Sequence, residues 1–356
     1  MQPLTGAWTK TTRSSDRVAT LAKVATSGLY CSTAMISAGA VFFWAFLCLS
    51  SLPVRAAPPP VPQCDGVNCF VILPPTYGAS DWTSPQLAAA VQANLLELQI
   101  DVHSSLGRRP ALADCKHPTK LNASSCVELG LPCASMGRSF FFSPGSRDSS
   151  DLAGPASCSG TFITGDTVLT AGHCCMPLAG AWVSDVFFYT DFDDGQFSGA
   201  YAPTELIVPE QWNNFTDRRY DWCFMKMNAS APTHLKAAWS FDPGQFGDGF
   251  SAYGWPADEP YDGNKLYQAT GQCQGTSPVF PPPSLDPCNH TLGNQAMMYM
   301  TCNAMNDGGG PWYDPSIGIF GVNSASIIAP GQPQIFASPY FGTDFYGSCK
   351  KAAVCT

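Results

Sequence analysis

The stretch Cys158-Ser-Gly-Thr-Phe-Ile-Thr-Gly-Asp-Thr-Val-Leu-Thr-Ala-Gly-His173-Cys174 decides how this chain is read. Two short apolar runs, broken by Thr-Gly-Asp, lead to a histidine, with a cysteine at each border. The stretch belongs to a region, from about residue 135 onward, where such runs alternate with Gly, Pro, Asp and Asn. Others are VSDVFFYTDF (183–192), ELIVP (205–209), DWCFMKM (221–227) and GIFGVNSASII (318–328). β-branched and aromatic residues between regular turn signals predict an all-β fold, barrel or sandwich. Residues 278–287, SPVFPPPSLD, read as a Pro-rich surface loop. On its own, His173 is either a buried structural imidazole or a general base that has to be held in one orientation.

The composition fits this texture. The chain has 356 residues, 45% hydrophobic and only 13% charged, enough for a real core and contrary to intrinsic disorder. Its 31 prolines and 32 glycines point to many turns rather than a helical bundle. Residues 1–56 hold five basic groups against Asp16 alone. The rest carries 13 Lys and Arg against 26 Asp and Glu, a surface that argues against nucleic acid or anionic lipid as partner. Fourteen of the 16 cysteines follow residue 56, an even count suited to disulfides in an oxidising compartment. No C-x2-C pair accompanies a matching histidine pair, so neither zinc nor any other metal or cofactor is expected.

The N-terminus reads as an address. Lys10, Arg13, Arg17 and Lys23 form a basic region, and no charge follows from Val24 to Val54. The centre, AMISAGAVFFWAFLCLSSL, is long enough to span a bilayer. Val54-Arg55-Ala56 then offers small residues at the positions signal peptidase requires, before a Pro run. A cleaved secretory signal is the expectation. An uncleaved anchor is the alternative, and only then is a membrane a partner. Both put the remainder outside the cytosol. Four N-x-S/T sequons, at Asn122, Asn214, Asn228 and Asn289, agree with that compartment.

Three segments are expected: 1–56 as signal or anchor, 57–134 as a Cys-containing partly helical extension, and 135–356 as the main domain. In the extension Ser84 and Pro85 suit the start of a helix near 85–104. Leu87, Val91, Leu95, Leu98 and Val102 then repeat on one face. Whether this extension is a propeptide, a covering subdomain or a separate module stays open.

Three motifs in a fixed order carry a resemblance. The stretch quoted first resembles the histidine segment of chymotrypsin-like serine proteases. Tyr220-Asp221-Trp222-Cys223-Phe224-Met225-Lys226-Met227 resembles the same family's aspartate motif. Asp307-Gly308-Gly309-Gly310-Pro311-Trp312 resembles its nucleophile motif, and GIFGVNSAS resembles the strand lining the specificity pocket. Ala252-Tyr-Gly254-Trp-Pro256 is similar to a segment of the glutamyl-endopeptidase branch. The resemblance covers about residues 135–356. It implies a chymotrypsin-like double β-barrel, two antiparallel six-stranded barrels with the site between them. It also implies a Cys158–Cys174 disulfide holding the histidine loop, and Asp221 fixing the tautomer of His173.

The departures set the functional expectation. Where the family has its nucleophilic serine, this chain has Gly308, which has no side chain to attack a carbonyl. Asn306 stands where the family has an oxyanion-hole glycine, so that hole, formed from Asn306 and Gly308, is altered as well. In the specificity pocket Cys302 and Asn323 replace the charged determinants of trypsin-like and glutamyl-specific relatives, with Ser324 beside them. The resemblance thus implies a secreted protease homologue without catalysis, binding a protein or peptide in the inter-barrel cleft. One alternative is an active serine-type endopeptidase with another nucleophile, Ser324 or Ser326 being nearest. Another is an unrelated extracellular disulfide-rich β-module. Gly308→Ser is expected to restore some hydrolysis if Asn306 presents its N–H.

Overall fold

Thr167-Val-Leu-Thr170 is buried at every position, as a strand covered on both faces requires. Ser184–Thr190 instead alternates, with Val186, Phe188 and Thr190 inward, the signature of a sheet with one wet face. Around such patterns the computed structural model builds a mostly β molecule. It describes residues 63–65, 68–73, 99–101, 118–128, 130–131, 133–146, 149–177, 179–239, 250–257, 260–277, 297–301, 308–328 and 335–354. The chain divides into two units, Met1–Pro58 and Pro59–Thr356, and every described residue belongs to the second. The expected leader therefore lies outside the described residues, as does nearly all of the expected helix. Among the described residues no helix is long and apolar enough to cross a membrane.

The described residues form two nine-stranded sheets. The first runs, in spatial order, β1 (Gln63–Asp65), β2 (Asn68–Leu73), β10 (Pro203–Pro209), β11 (Cys223–Met227), β7 (Thr167–Thr170), β6 (Ser149–Phe162), β5 (Met136–Ser146), β8 (Ser184–Thr190) and β9 (Gly199–Tyr201). The second runs β16 (Gly318–Val322), β15 (Pro311–Asp314), β12 (Phe250–Gly254), β13 (Tyr267–Ser277), β14 (Met297–Thr301), β18 (Ile335–Pro339), β17 (Ala325–Ile328) and β3 (Gln99–Asp101), with β4 (Thr119–Lys120) on β13. Among the described residues three short helices join the frame, α1 (Ala123–Glu128), α2 (Glu210–Phe215) and α3 (Thr343–Lys351).

Each sheet has more strands than the six expected, and the first four strands explain part of the excess. β2 pairs with β10, β3 with β17 and β4 with β13, so both sheets take strands from the part of the chain before residue 121. The β3 pairing also corrects the end of the expected helix. Gln99–Asp101 is a strand, lying parallel to β17 with Ile100 opposite Ile327. A β-branched residue that finds a sheet edge obeys the pairing rather than the helical spacing.

The core is one continuous apolar cluster containing the fully buried Trp212, Trp222, Trp255 and Trp312. α3 braces the first sheet from behind. Phe345 stacks on Phe341 at 3.7 Å and meets the edge of Trp222 at 5.5 Å. Tyr220 donates its hydroxyl hydrogen to Asp344 at 3.0 Å. The residues on either side of Asp221 are thus anchored to the C-terminal helix.

Candidate active site

The β7–β11 ladder brings two of the predicted residues together. Thr170 faces Cys223 across it, so His173, three residues on, meets Asp221, two residues back. A 3-10 turn, Gly172–Cys174, aims the imidazole. Gly172 fits closely there, since a Cβ would stand 3.0 Å from both Asp221 Oδ1 and the Trp212 ring and would need those neighbours to give slightly. Asp221 Oδ1 accepts the backbone N–H of His173 at 2.8 Å, and Oδ2 accepts from His173 Nδ1 at 2.9 Å. That second bond puts the proton of a neutral imidazole on Nδ1 and leaves the lone pair on Nε2.

Asp221 is fully buried and well supplied with donors. Ser324 donates its hydroxyl to Oδ2 at 2.6 Å, and Arg218 Nη1 lies 3.4 Å from the same oxygen. Burial alone pushes this carboxyl up. The charge and hydrogen bond of His173, then Arg218 and Ser324, outweigh it and hold the group below the ordinary 3.8. Ser324 and Arg218 lie outside the histidine and aspartate motifs. An arginine three residues before the aspartate was a visible signal that the sequence reading passed over.

Disulfides hold the base in place on two sides. Cys174 bonds to Cys158 on β6, and the adjacent Cys175 bonds to Cys223 on β11, two residues from Asp221. A third bond, Cys126–Cys133, ties α1 to the start of β5. Sγ of Cys158 and Cys174 and a nitrogen of His173 all lie within 4.8 Å of one another, but the sulfurs are joined to each other and offer no thiolate to a metal.

Gly308 closes against this pair. Its carbonyl accepts from Ser159 N at 2.8 Å, Gly309 N donates to Asn323 O at 2.8 Å, and Asn323 N donates to Gly310 O at 2.8 Å. Gly309 takes φ +82, and a Cβ on it would collide with Thr170 Oγ1 and Ser159 O, while one on Gly310 would collide with Tyr253 O. These two glycines let the segment nest between β6 and β12. Gly308 has no such backbone demand, since its φ is not positive. The space where its Cβ would go belongs instead to the imidazole. A Cβ there would overlap His173 Nε2 and stand 3.0 Å from Cε1 and 3.4 Å from Cys158 Sγ. Nε2 is buried and, among the described residues, has no hydrogen-bond partner. A side chain at 308 would require the ring to retreat first.

The remaining predicted residues separate. Asn323 is buried, its Oδ1 accepting from Trp312 Nε1 at 2.7 Å and its Nδ2 lying 3.4 Å from Tyr253 O. Those bonds turn its amide into the framework. Cys302, Asn306 and Asn289 lie outside the described residues. Asn122, Asn214 and Asn228 are exposed. Asn122 also lines a depression of about 260 Å³, with Phe192, Phe197 and Trp255, that includes neither His173 nor Asp221.

A sequence model of the trypsin family, described as "Trypsin", matches residues 145–340, more than half of the chain. The chain belongs to the trypsin family. No curated protein matches it. Solved structures similar to it include a thermostable serine protease, AL20, from an extremophilic microorganism, at 23% identity over 63% of this chain and 99% of that one, with a TM-score of 0.49. Protease Anisep from Arthrobacter nicotinovorans is similar at 24% identity over 62% and 96%, also with a TM-score of 0.49. A Glu endopeptidase in complex with MPD is similar at 18% identity over 70% and 98%, with a TM-score of 0.47.

Proposed function

We propose that this chain is a trypsin-family protein without hydrolytic activity, secreted, and acting by binding a protein or peptide in the cleft between its two sheets. In this reading the sheets are the two barrels of the family, His173 and Asp221 are its base and orienting carboxylate, and Gly308 stands in for the nucleophile. Asn306 and Gly308 form the altered oxyanion hole, and Cys302, Asn323 and Ser324 line what was the specificity pocket. Residues 57–134 are a permanent part of the domain in this reading, since both sheets use strands from it.

One observation carries the reading. The position that should present a hydroxyl to Nε2 is a glycine whose missing Cβ has been replaced by the imidazole itself. A base with no nucleophile, and no room for one, cannot form an acyl bond. In serine proteases, removing the nucleophile costs about 10⁶ in turnover. An alternative nucleophile finds no support among the described residues, because the Ser324 hydroxyl already donates to Asp221 and Ser326 is buried. The oxidising compartment is supported by the disulfides Cys126–Cys133, Cys158–Cys174 and Cys175–Cys223 and by exposed asparagines in three sequons, Asn122, Asn214 and Asn228, which we take as glycan acceptors together with Asn289.

The test is a fluorophosphonate probe on the purified chain, with an active trypsin alongside. No covalent label is expected. A labelled serine peptide, or casein cleavage that disappears in His173→Ala, would sink the proposal.

A further inference from the structure

Asp221 has a second cation within reach besides the imidazole. Arg218 opens the 3-10 turn Arg218–Tyr220 that leads into Asp221. Its Nη1 lies 3.4 Å from Asp221 Oδ2 and 3.5 Å from the Ser324 carbonyl. Its guanidinium rests 5.3 Å over the ring of Trp212, which is itself buried and donates its Nε1–H to the Met176 carbonyl at 3.1 Å. The side chain is only 17% exposed. A stacked, largely dehydrated guanidinium is always charged and keeps its orientation.

We infer that Arg218 is the permanent countercharge of Asp221, so that the buried carboxylate is balanced without a protonated imidazole. The physical reason is direct. A buried carboxylate needs a compensating positive charge. When an imidazole is its sole partner, that need favours imidazolium, and the same pull makes the histidine a useful base. When a guanidinium already satisfies it, a proton on Nε2 adds a second positive charge beside the first, which is unfavourable.

The groups facing the imidazole can be named element by element among the described residues. Asp221 faces it from the start of β11, and Arg218 from the turn before. Ser324, ahead of β17, reaches Asp221 with a neutral hydroxyl. β6 presents the disulfide sulfur of Cys158, and the 308–310 segment presents glycine backbone. Arg218 is thus a positioning residue that acts through Asp221. The inference goes beyond the missing nucleophile, since it concerns what balances the buried carboxylate, and it holds whether or not the cleft hydrolyses anything.

The test uses the full chain labelled with ¹⁵N, whose five histidines are assigned with His173→Gln, and follows the ring nitrogens of His173 against pH. In R218Q and R218M the pH at which Nε2 is protonated rises by about one unit, while R218K stays within about 0.3 of the wild type. R218M keeps the apolar stem over Trp212 and so isolates charge from packing. A second arm is independent of those variants. H173Q leaves Asp221 balanced by Arg218 and melts within about 5 °C of the wild type at neutral pH, whereas stripping a buried carboxylate of its only cation lowers a melting point by about 10 °C or more. An unmoved or lowered midpoint in R218Q or R218M, an R218K that behaves like R218Q, or an H173Q drop beyond about 10 °C overturns the inference.

Discussion

Replacing Gly308 by alanine sets two opposing effects against each other. Outside the left-handed region, Gly→Ala restricts the unfolded chain and stabilises by about 0.4–1 kcal/mol. Gly308 is outside that region, so this gain applies. Against it stands the overlap of the new methyl with His173 Nε2, with Cε1 of the same ring at 3.0 Å and the Cys158 sulfur at 3.4 Å beside it. Ordinary carbon contacts are about 3.5–4.0 Å. The imidazole must back away by about 1 Å while Asp221 holds both its Nδ1 and its backbone N–H. Overpacking of this kind costs about 1–3 kcal/mol. The net centres on a loss of about 1 kcal/mol, or a melting point lower by about 2–4 °C. Gly165→Ala is the internal control. Its φ is also not positive, and the nearest atoms to a Cβ lie 3.9 Å away on Ser230, so only the gain remains and the melting point rises by about 1–3 °C. The assay is calorimetry of both variants with disulfides intact. An alanine at 308 that melts as high as the wild type, with Gly165→Ala behaving as stated, would refute the steric reading of the site.

Gly308→Ser carries the same methyl-sized burden plus a hydroxyl. It is expected to remain unlabelled by fluorophosphonate while trypsin labels fully, and rapid labelling would mean that the ring gives way easily. Because the Asp221 carboxyl is held below 3.8 in the fold, it adds stability above that pH which drains away as the pH falls through the folded value. Melting points between about pH 4 and pH 2 should therefore fall more steeply for the wild type than for Asp221→Asn, and parallel acid limbs would contradict this. Replacing Cys175 and Cys223 together with alanine opens a link of 48-residue separation and is expected to cost about 4 kcal/mol by loop entropy, read as a shift in denaturant midpoint.

The motifs were legible because they are local. The run from Cys158 to Cys174, the Tyr-Asp-Trp segment and Gly-Gly-Gly-Pro each carry their geometry within a few residues, and their order fixed what His173, Asp221 and Gly308 would face. What escaped the sequence depended on partners far along the chain. Gln99–Asp101 sits at the end of a helical pattern, and only β17, more than 200 residues later, makes it a strand. The bond of Cys175 to Cys223 depends on the β7–β11 register, which spacing does not encode. Arg218 stood in plain view, but its significance depends on Trp212, Ser324 and Asp221 meeting at one point. The occupied space beside Gly308 is a packing fact that no residue type announces.

Neighbouring sulfurs at 174 and 175 reach to different strands, one on each side of the histidine turn. Such a turn is moored fore and aft and has little freedom to swing. The glycine segment at 308–310 is tied by backbone hydrogen bonds and carries no cross-link of its own. Any rearrangement that widened this cleft for a guest would therefore come from the glycine bank, with the histidine bank serving as the fixed shore.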